Sequence, residues 1–332
     1  MDTTPEQSPA RPPGPPGPSE PPRPTAPPRP AAPPEPTDTD RAATEPTEPD
    51  QRSEPTEPAR PAPPSNPPPP PHPPRASWEA GVRFAFGTLT ALPVRVTRWD
   101  REAARAGMLC APLAGLTVGL CAASVGAALL LLGGGALLAA VGTVAVPAVL
   151  TRGLHLDGLA DTADGLGSGK PADDALRIMK QSDIGPFGVI TLLFVLFAQV
   201  AALAELYGAG WPQGAVAAAT AGVAARCALT LAARDGVPAA RPEGLGAAVA
   251  GSVPTGPALG AAAVSLVVCA VGGAAFGAYG AVHHALAVLA ALGAAELLLR
   301  HCRRRFGGIT GDVFGALAET ATTTALIATA LG

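Results

Sequence analysis

Residues 154–188 read LHLDGLADTADGLGSGKPADDALRIMKQSDIGPFG, a polar segment that lies between long apolar runs. From Trp78 onward the chain contains 15 acidic residues, and six of them fall in this segment. Both lysines of the chain, Lys170 and Lys180, are here as well. Ionisable groups are costly in a membrane and mark functional sites there. This concentration of charge therefore indicates that the chemistry of the chain takes place in the segment.

The apolar runs on either side predict membrane-spanning helices. A bilayer-spanning helix needs about 20 mostly apolar residues. Seven runs reach or approach that length, at about 107–132, 136–152, 187–207, 214–233, 257–279, 281–299 and 312–331. They are rich in Gly and Ala, which favours close helix packing in lipid. The sequence therefore predicts an all-α, polytopic membrane bundle of about seven spans within a domain that covers residues 78–332.

The N-terminal part of the chain has a different composition. Thirty of the 40 prolines lie in residues 1–74, which contain no Trp, Tyr or Phe. Such a segment cannot bury enough apolar surface to offset the entropy of ordering, so residues 1–77 are predicted to be a disordered proline-rich tail. The rest of the chain has 16 basic and 15 acidic residues, which indicates no nucleic-acid partner. The apolar composition of residues 78–332 instead predicts contact with the lipid bilayer.

The basic residues predict the orientation in the membrane. If the connections are numbered alternately, one set contains nearly all the arginines and lysines from residue 78 onward, and the other contains none. Cytoplasmic loops carry such an excess of positive charge. We therefore expect a multi-pass protein of the cell inner or plasma membrane, with the acidic segment and the tail on the cytoplasmic side.

Three aspartates in the acidic segment suggest a metal site. Asp157, Asp161 and Asp164 stand at positions i, i+4 and i+7, which places three carboxylates on one helix face. These like charges repel one another, and a bound divalent cation removes the conflict. Mg²⁺ prefers carboxylate oxygens and fills its other positions with water and substrate phosphates. The alternative is a solvated amphipathic helix with no ligand.

Three neighbours of the triad are further candidates. His155 is a candidate base or hydrogen-bond donor behind the site, or a polar residue at the membrane interface. Lys180 is a candidate phosphate ligand, or its side chain extends to the interface. Asp183 is a candidate metal ligand, or it caps the helix that begins near Pro186.

A second polar cluster lies near the C-terminal end of the chain. Glycine-rich backbone that enters a helix N-terminus binds phosphate groups, and the run here contains Gly307, Gly308 and Gly311. Asp312 and Glu319 follow on one helix face. Asp312 could instead cap the helix that follows it. The adjacent arginines, 303–305, could instead only fix the orientation of the chain in the membrane.

Arg226 lies inside the fourth predicted span. An arginine is costly to bury, so it is expected to pair with a carboxylate of helix 157–164 or with Glu319. Together, the two clusters favour metal-assisted phosphoryl transfer on a large anionic substrate.

Three runs carry a resemblance to a known family: GLHLDGLADTADG (153–165), IMKQSDIGPFG (178–188) and GGITGDVFGA (307–316). In this order and spacing they resemble the cobalamin synthase family, formally adenosylcobinamide-GDP ribazoletransferase. The similarity covers about 80–332 and leaves out the tail. One departure is Thr322, which stands where family members often carry a second Glu three residues after the position of Glu319.

The resemblance implies a membrane enzyme of the last steps of cobalamin (vitamin B12) assembly. Such an enzyme joins adenosylcobinamide-GDP to α-ribazole or its 5′-phosphate, releases GMP and uses Mg²⁺. The family's acidic motif corresponds to Asp157, Asp161 and Asp164, and its late motif to Gly311 and Asp312. Other late corrinoid-pathway enzymes are expected as possible partners.

Three other functions remain open at this stage. A lipid-type CDP-alcohol phosphotransferase also uses clustered aspartates, but its usual DG-x₂-AR run is absent here. A cation-coupled transporter would place its acids near the middle of spans and use paired broken helices. A scaffold recruited through the proline-rich tail would use the tail as a ligand.

Overall fold

The computed structural model describes residues 76–332, so the predicted tail, residues 1–77, lies outside the described residues except for its last two. The prediction of an all-α fold is confirmed in this part of the chain, which contains eleven α-helices, one 3-10 turn and no strand. The helices are α1 (Trp78–Leu89), α2 (Arg101–Leu131), α3 (Ala136–Leu150), α4 (Leu154–Gly167), α5 (Ala172–Ile178), α6 (Pro186–Ala209), α7 (Trp211–Ala232), α8 (Gly244–Val249), α9 (Thr255–Gly273), α10 (Gly277–Phe306) and α11 (Gly311–Ala330).

Each of the seven predicted apolar runs forms a helix. By length and composition, five stretches of residues 76–332 can each cross a membrane, or six if the bent pair α3 and α4 counts as one. One of the five stretches, Thr255–Phe306, has 52 residues and contains both α9 and α10. The prediction of a multi-pass membrane bundle is therefore confirmed.

Helices α9 and α10 form a hairpin rather than one long span. Gly277 has a φ of 83°, a left-handed conformation that glycine adopts at little cost. A Cβ added at Gly273 would lie 2.3 Å from the carbonyl oxygen of Gly280, so the two helices touch through backbone. Hairpins of this kind give the bundle two ends, and α6 and α11 begin at the end where α7 and α10 finish.

The chain bends sharply just before the acidic segment. Helices α3 and α4 meet at 88°, and both residues at the bend, Arg152 and Gly153, have positive φ values of 53° and 72°. The Gly153 N–H donates to the Ala148 carbonyl at 2.7 Å, which closes the end of α3. The predicted helix of the acidic segment is therefore present as α4, and it packs against α6 and α11.

Helix α7 lies at the centre of the bundle and packs on α2 through small residues. A Cβ added at Gly115 would lie 2.2 Å from the Gly222 carbonyl oxygen, and one at Gly119 would lie 2.9 Å from that of Ala218. Small residues allow this close approach of two helix backbones in lipid. The Gly and Ala content noted in the sequence therefore sets the spacing of the central helices.

Candidate active site

The acidic helix α4 crosses the start of α11 at two glycines. A Cβ added at Gly158 would lie 2.6 Å from the backbone oxygen of Asp312, and one at Gly315 would lie 2.9 Å from that of His155. Only glycine fits at such backbone contacts. The crossing brings the acidic motif of α4 next to Asp312, although the two are far apart in the sequence.

Gly158→Ala is expected to separate α4 from α11 and to lower both thermal stability and activity. The neighbouring atom is backbone, so it cannot move aside as a flexible side chain would, and overpacking costs about 1–3 kcal/mol. Gly293→Ala is the matched control, because a Cβ at Gly293 in α10 meets nothing within 4 Å. Thermal unfolding of the two purified variants checks the prediction. Equal stability would contradict the close crossing.

Four carboxylates meet at this crossing. Asp157 is exposed and Asp161 is half-buried, and the negative charges of Asp157, Asp312 and Asp164 all act on Asp161. The predicted shared face of the acidic helix is thus present, and Asp312 of α11 adds to it. We call Asp157, Asp161, Asp312 and Arg241 the acidic site.

Arg241 supplies a positive charge to the acidic site. Its guanidinium lies 3.5 Å from Oδ2 of Asp312 and is mostly buried. It also donates to the Leu176 carbonyl at the end of α5. The sequence analysis did not single out this residue. The feature of the sequence that could have indicated Arg241 is its position in a Pro- and Gly-rich connection between two apolar runs.

Asp164 differs from Asp157 and Asp161, because it contacts the backbone at the start of α6. It is buried, and its carboxylate oxygens accept hydrogen bonds from the backbone N–H groups of Gly185 at 2.8 Å and Gly188 at 2.9 Å. Asp164 therefore caps the N-terminus of α6 from a distance of 21 residues. Asp183, the predicted candidate for this cap, is exposed and does not make these bonds.

The acidic site fits Mg²⁺ if water and substrate phosphates supply the ligands that the protein does not. Within residues 76–332, no three His, Cys, Asp or Glu side chains are grouped so that they could hold one metal ion by themselves. Mg²⁺ is usually bound by one or two carboxylates together with water and substrate phosphates. The carboxylates of Asp157 and Asp161 meet this requirement, whereas both oxygens of Asp164 already accept backbone hydrogen bonds.

A pocket of about 270 Å³ lies beside the acidic site and is called the acidic pocket. Its lining includes Asp161, Asp164, Asp183 and Lys170. Lys180, the predicted phosphate ligand, is exposed and is not part of this lining. The fold therefore brings Lys170, rather than Lys180, to the acidic pocket.

The three glycines of the run before α11 have different surroundings. Gly307 has a φ of 78° and ends α10. Gly308 is buried, and a Cβ there would lie 2.5 Å from the Pro238 carbonyl oxygen. Gly311 is exposed at the start of α11, where the Thr310 hydroxyl accepts from the N–H of Val313 at 3.3 Å. Gly308 thus packs against backbone, and phosphate binding by Gly307, Gly308 and Gly311 stays a prediction.

The buried charges behind the acidic site are arranged differently from the prediction. Arg226 is 2% exposed and lies 3.2 Å from Nδ1 of His155. In the described part of the chain no carboxylate lies within ion-pair distance of Arg226, although the charge of Glu319 acts on it. Glu319 accepts a hydrogen bond from Gln199 at 2.9 Å. The expected direct pairing of Arg226 with an acid is therefore wrong, and His155 faces the interior, not the acidic pocket.

The fold and the acidic site define a class: a multi-pass helical membrane protein with carboxylates and basic side chains gathered at one end of its bundle. The family model described as cobalamin-5-phosphate synthase matches residues 81–330. The chain belongs to this family, which consists of transferases.

Relatives with known names agree with this assignment. The chain is 44% identical to adenosylcobinamide-GDP ribazoletransferase of Frankia casuarinae over 262 residues, which cover 74% of this chain and 92% of that protein. It is 43% identical to the protein of the same name from Nocardioides sp., with 74% and 96% covered. The Escherichia coli (strain Crooks) protein is 36% identical, with 70% and 91% covered. No solved structure matches the chain.

Proposed function

We propose that this chain joins adenosylcobinamide-GDP to α-ribazole or α-ribazole 5′-phosphate, giving adenosylcobalamin or its 5′-phosphate and GMP. The names of the relatives support this reaction. The observation that carries the proposal is the crossing of α4 and α11, which gathers Asp157, Asp161, Asp312 and Arg241 at one point. A site of mixed charge suits a substrate with a diphosphate and an incoming hydroxyl group.

We propose Mg²⁺ as the cofactor, with Asp157 and Asp161 as its protein ligands. When bound, Mg²⁺ would neutralise charge on the diphosphate. Asp164 takes no part as a ligand in this proposal, because its hydrogen bonds fix the start of α6 beside the acidic pocket. Asp183 lines the same pocket and remains a candidate second acid.

The basic side chains would orient the substrate. The guanidinium of Arg241 is fixed by Asp312 and the Leu176 carbonyl, so it can offer its remaining N–H groups to phosphate oxygens without reorganising. Lys170 adds a second positive charge from the rim of the acidic pocket. A ribose hydroxyl then forms a bond to the phosphorus that carries cobinamide, and the bond from that phosphorus to GMP breaks.

The distribution of charge supports a plasma-membrane protein with its acidic site towards the cytoplasm. The connections at the acidic end include Arg234, Arg241 and the arginines at the end of α10, whereas the described connections at the opposite end contain no Lys or Arg. This is the asymmetry expected of cytoplasmic loops. Other late corrinoid-pathway enzymes remain predicted partners at that face.

The transporter alternative has less support. It predicts two broken helices in corresponding halves of the chain. The described residues contain one bent pair, α3 and α4. The cavity between Arg226 and Glu319 has a volume of about 40 Å³, which is room for a few water molecules.

The proposed reaction is tested by incubating membranes that contain the full chain with adenosylcobinamide-GDP and α-ribazole, with and without EDTA. We expect GMP and a new corrinoid product in equal amounts, and we expect EDTA to stop their formation until Mg²⁺ is restored. Failure to form either product would contradict the reaction, and full activity in EDTA would contradict the metal.

Asp164→Asn and Asp161→Asn are expected to differ in their effect on Mg²⁺ dependence, because Asp164 caps a helix and Asp161 is a proposed metal ligand. Asn keeps one acceptor oxygen for the N–H groups of α6 and loses the other, so Asp164→Asn should lower stability but keep the Mg²⁺ concentration that gives half-maximal activity. Asp161→Asn loses a ligand charge and should raise that concentration at least about tenfold. Titration of both variants with MgCl₂ checks this. Equal shifts in both would return Asp164 to the ligand set.

A further inference from the structure

A pocket of about 580 Å³ lies at the end of the bundle opposite the acidic site. We call it the distal pocket. It is formed where α6 and α11 end and where α7 and α10 begin, and its lining includes Glu205, Gln213, Tyr279, His283 and His284. None of these residues takes part in the proposed transfer, so the distal pocket needs an explanation of its own.

His284 presents an unpaired hydrogen-bond acceptor in this lining. Only 6% of the residue is exposed, and its Nδ1 lies 3.0 Å from the Gly280 carbonyl oxygen. A carbonyl oxygen only accepts, so Nδ1 carries the proton of the neutral ring, and Nε2 is left with a free lone pair. That atom is buried and has no hydrogen-bond partner among residues 76–332. A buried polar atom of this kind is costly unless a ligand or water completes it.

Two more acceptors line the same pocket. Oε1 of Gln213 is buried without a partner in the described part of the chain. Glu205 is exposed near the C-terminal end of α6, where the helix dipole disfavours a negative charge. Across residues 76–332, no Lys or Arg lies within ion-pair distance of Glu205. These three groups, on His284, Gln213 and Glu205, are acceptors, and one of them is charged.

Aromatic rings complete the distal pocket. The rings of Phe276 and His284 stack with their centroids 6.0 Å apart, and those of Tyr279 and His283 stack at 5.6 Å. Faces of aromatic rings attract cations. The lining also contains apolar side chains of α6 and α11, so a ligand with a cationic group on an apolar body fits it.

We propose that the distal pocket binds an organic ammonium group, and that its source is the amine headgroup of a membrane phospholipid such as phosphatidylethanolamine. An ammonium group carries three donors and no acceptor, which matches the free acceptors of Glu205, Gln213 and His284. The distal pocket lies where apolar helices end, which is the level expected for lipid headgroups. A metal ion fits less well, because no three His, Cys, Asp or Glu side chains of the described chain are grouped around one point.

The test uses the full chain, purified in neutral detergent, and native mass spectrometry. Phosphatidylethanolamine and phosphatidylglycerol with the same acyl chains are titrated in parallel, and free ethanolamine is added as a competitor. We expect the ethanolamine lipid to bind about tenfold more tightly than the glycerol lipid. Competition by free ethanolamine would indicate that the amine alone suffices, and absence of competition would indicate that the acyl chains are needed. Both results keep the ammonium site.

Glu205→Gln and Glu79→Gln form the matched pair of variants. Both residues are exposed, but Glu79 pairs with Arg83 on α1, away from the distal pocket. Glu205→Gln should lose the preference for the ethanolamine lipid, and Glu79→Gln should keep it. Transfer activity of Glu205→Gln, measured separately, should stay close to that of the unmodified chain. Equal binding of the two lipids, or an unchanged preference in Glu205→Gln, would overturn the proposal, as would His284-dependent binding of Zn²⁺ without amine discrimination.

Discussion

Asp157→Asn and Asp161→Asn are each expected to lower the rate of GMP release about a thousandfold, while the protein still inserts into membranes. Asn keeps the size of the side chain and removes the negative charge that would hold Mg²⁺. The variants should not lose stability, because Asp157 is exposed and Asp161 sits among other negative charges. Removal of one like charge relieves repulsion in the folded state.

The measurement is the formation of GMP and corrinoid product by membranes with matched amounts of each variant. Asp173→Asn is the control, because Asp173 is an exposed acid at the start of α5 that is absent from the lining of the acidic pocket. Its activity should match that of the unmodified chain. Near-normal turnover in both α4 variants would rule out the proposed metal site, whereas loss in all three variants would indicate a general effect of charge on the segment.

The acidic helix was predictable because its signal is local. A spacing of i, i+4 and i+7 fixes a shared helix face whatever the rest of the fold does, and α4 has this face. The apolar runs were predictable for the same reason, since length and composition decide whether a helix can span a bilayer. The bend at Arg152 and Gly153 was not, because a positive φ at a non-glycine residue has no signal in composition.

The partners of the charged residues could not be predicted, because they depend on contacts across the bundle. Asp164 caps α6 only because α5 folds back and brings Gly185 to it. Arg226 meets His155 because the rotation of α4 turns that residue towards α7 and the aspartates towards the open end. The crossing at Gly158 likewise depends on where α11 begins, which the sequence reasoning treated as a phosphate cradle.

Arg226→Met and Glu319→Met are each expected to destabilise the bundle by about 3–5 kcal/mol, whereas the double variant should recover most of that loss. Both residues are buried, at 2% and 7% exposure. They line one cavity of about 40 Å³, and each charge acts on the other without direct contact. Removal of one partner leaves a buried charge without compensation, and removal of both leaves an apolar interior.

Thermal unfolding of the purified chain in detergent measures this double-mutant cycle. Ser265→Ala is the control for loss of a buried polar group, because the Ser265 hydroxyl donates within its own helix, at the Ala261 carbonyl, and its neighbour across the bundle, the Cys227 thiol, is a weak hydrogen-bond partner. It should change the unfolding temperature little. If the losses of Arg226→Met and Glu319→Met simply add, the two charges are independent, and the hydrogen bonds of Arg226 with His155 and of Glu319 with Gln199 stabilise each charge separately. A recovered double variant would instead indicate that the two charges compensate each other through the cavity.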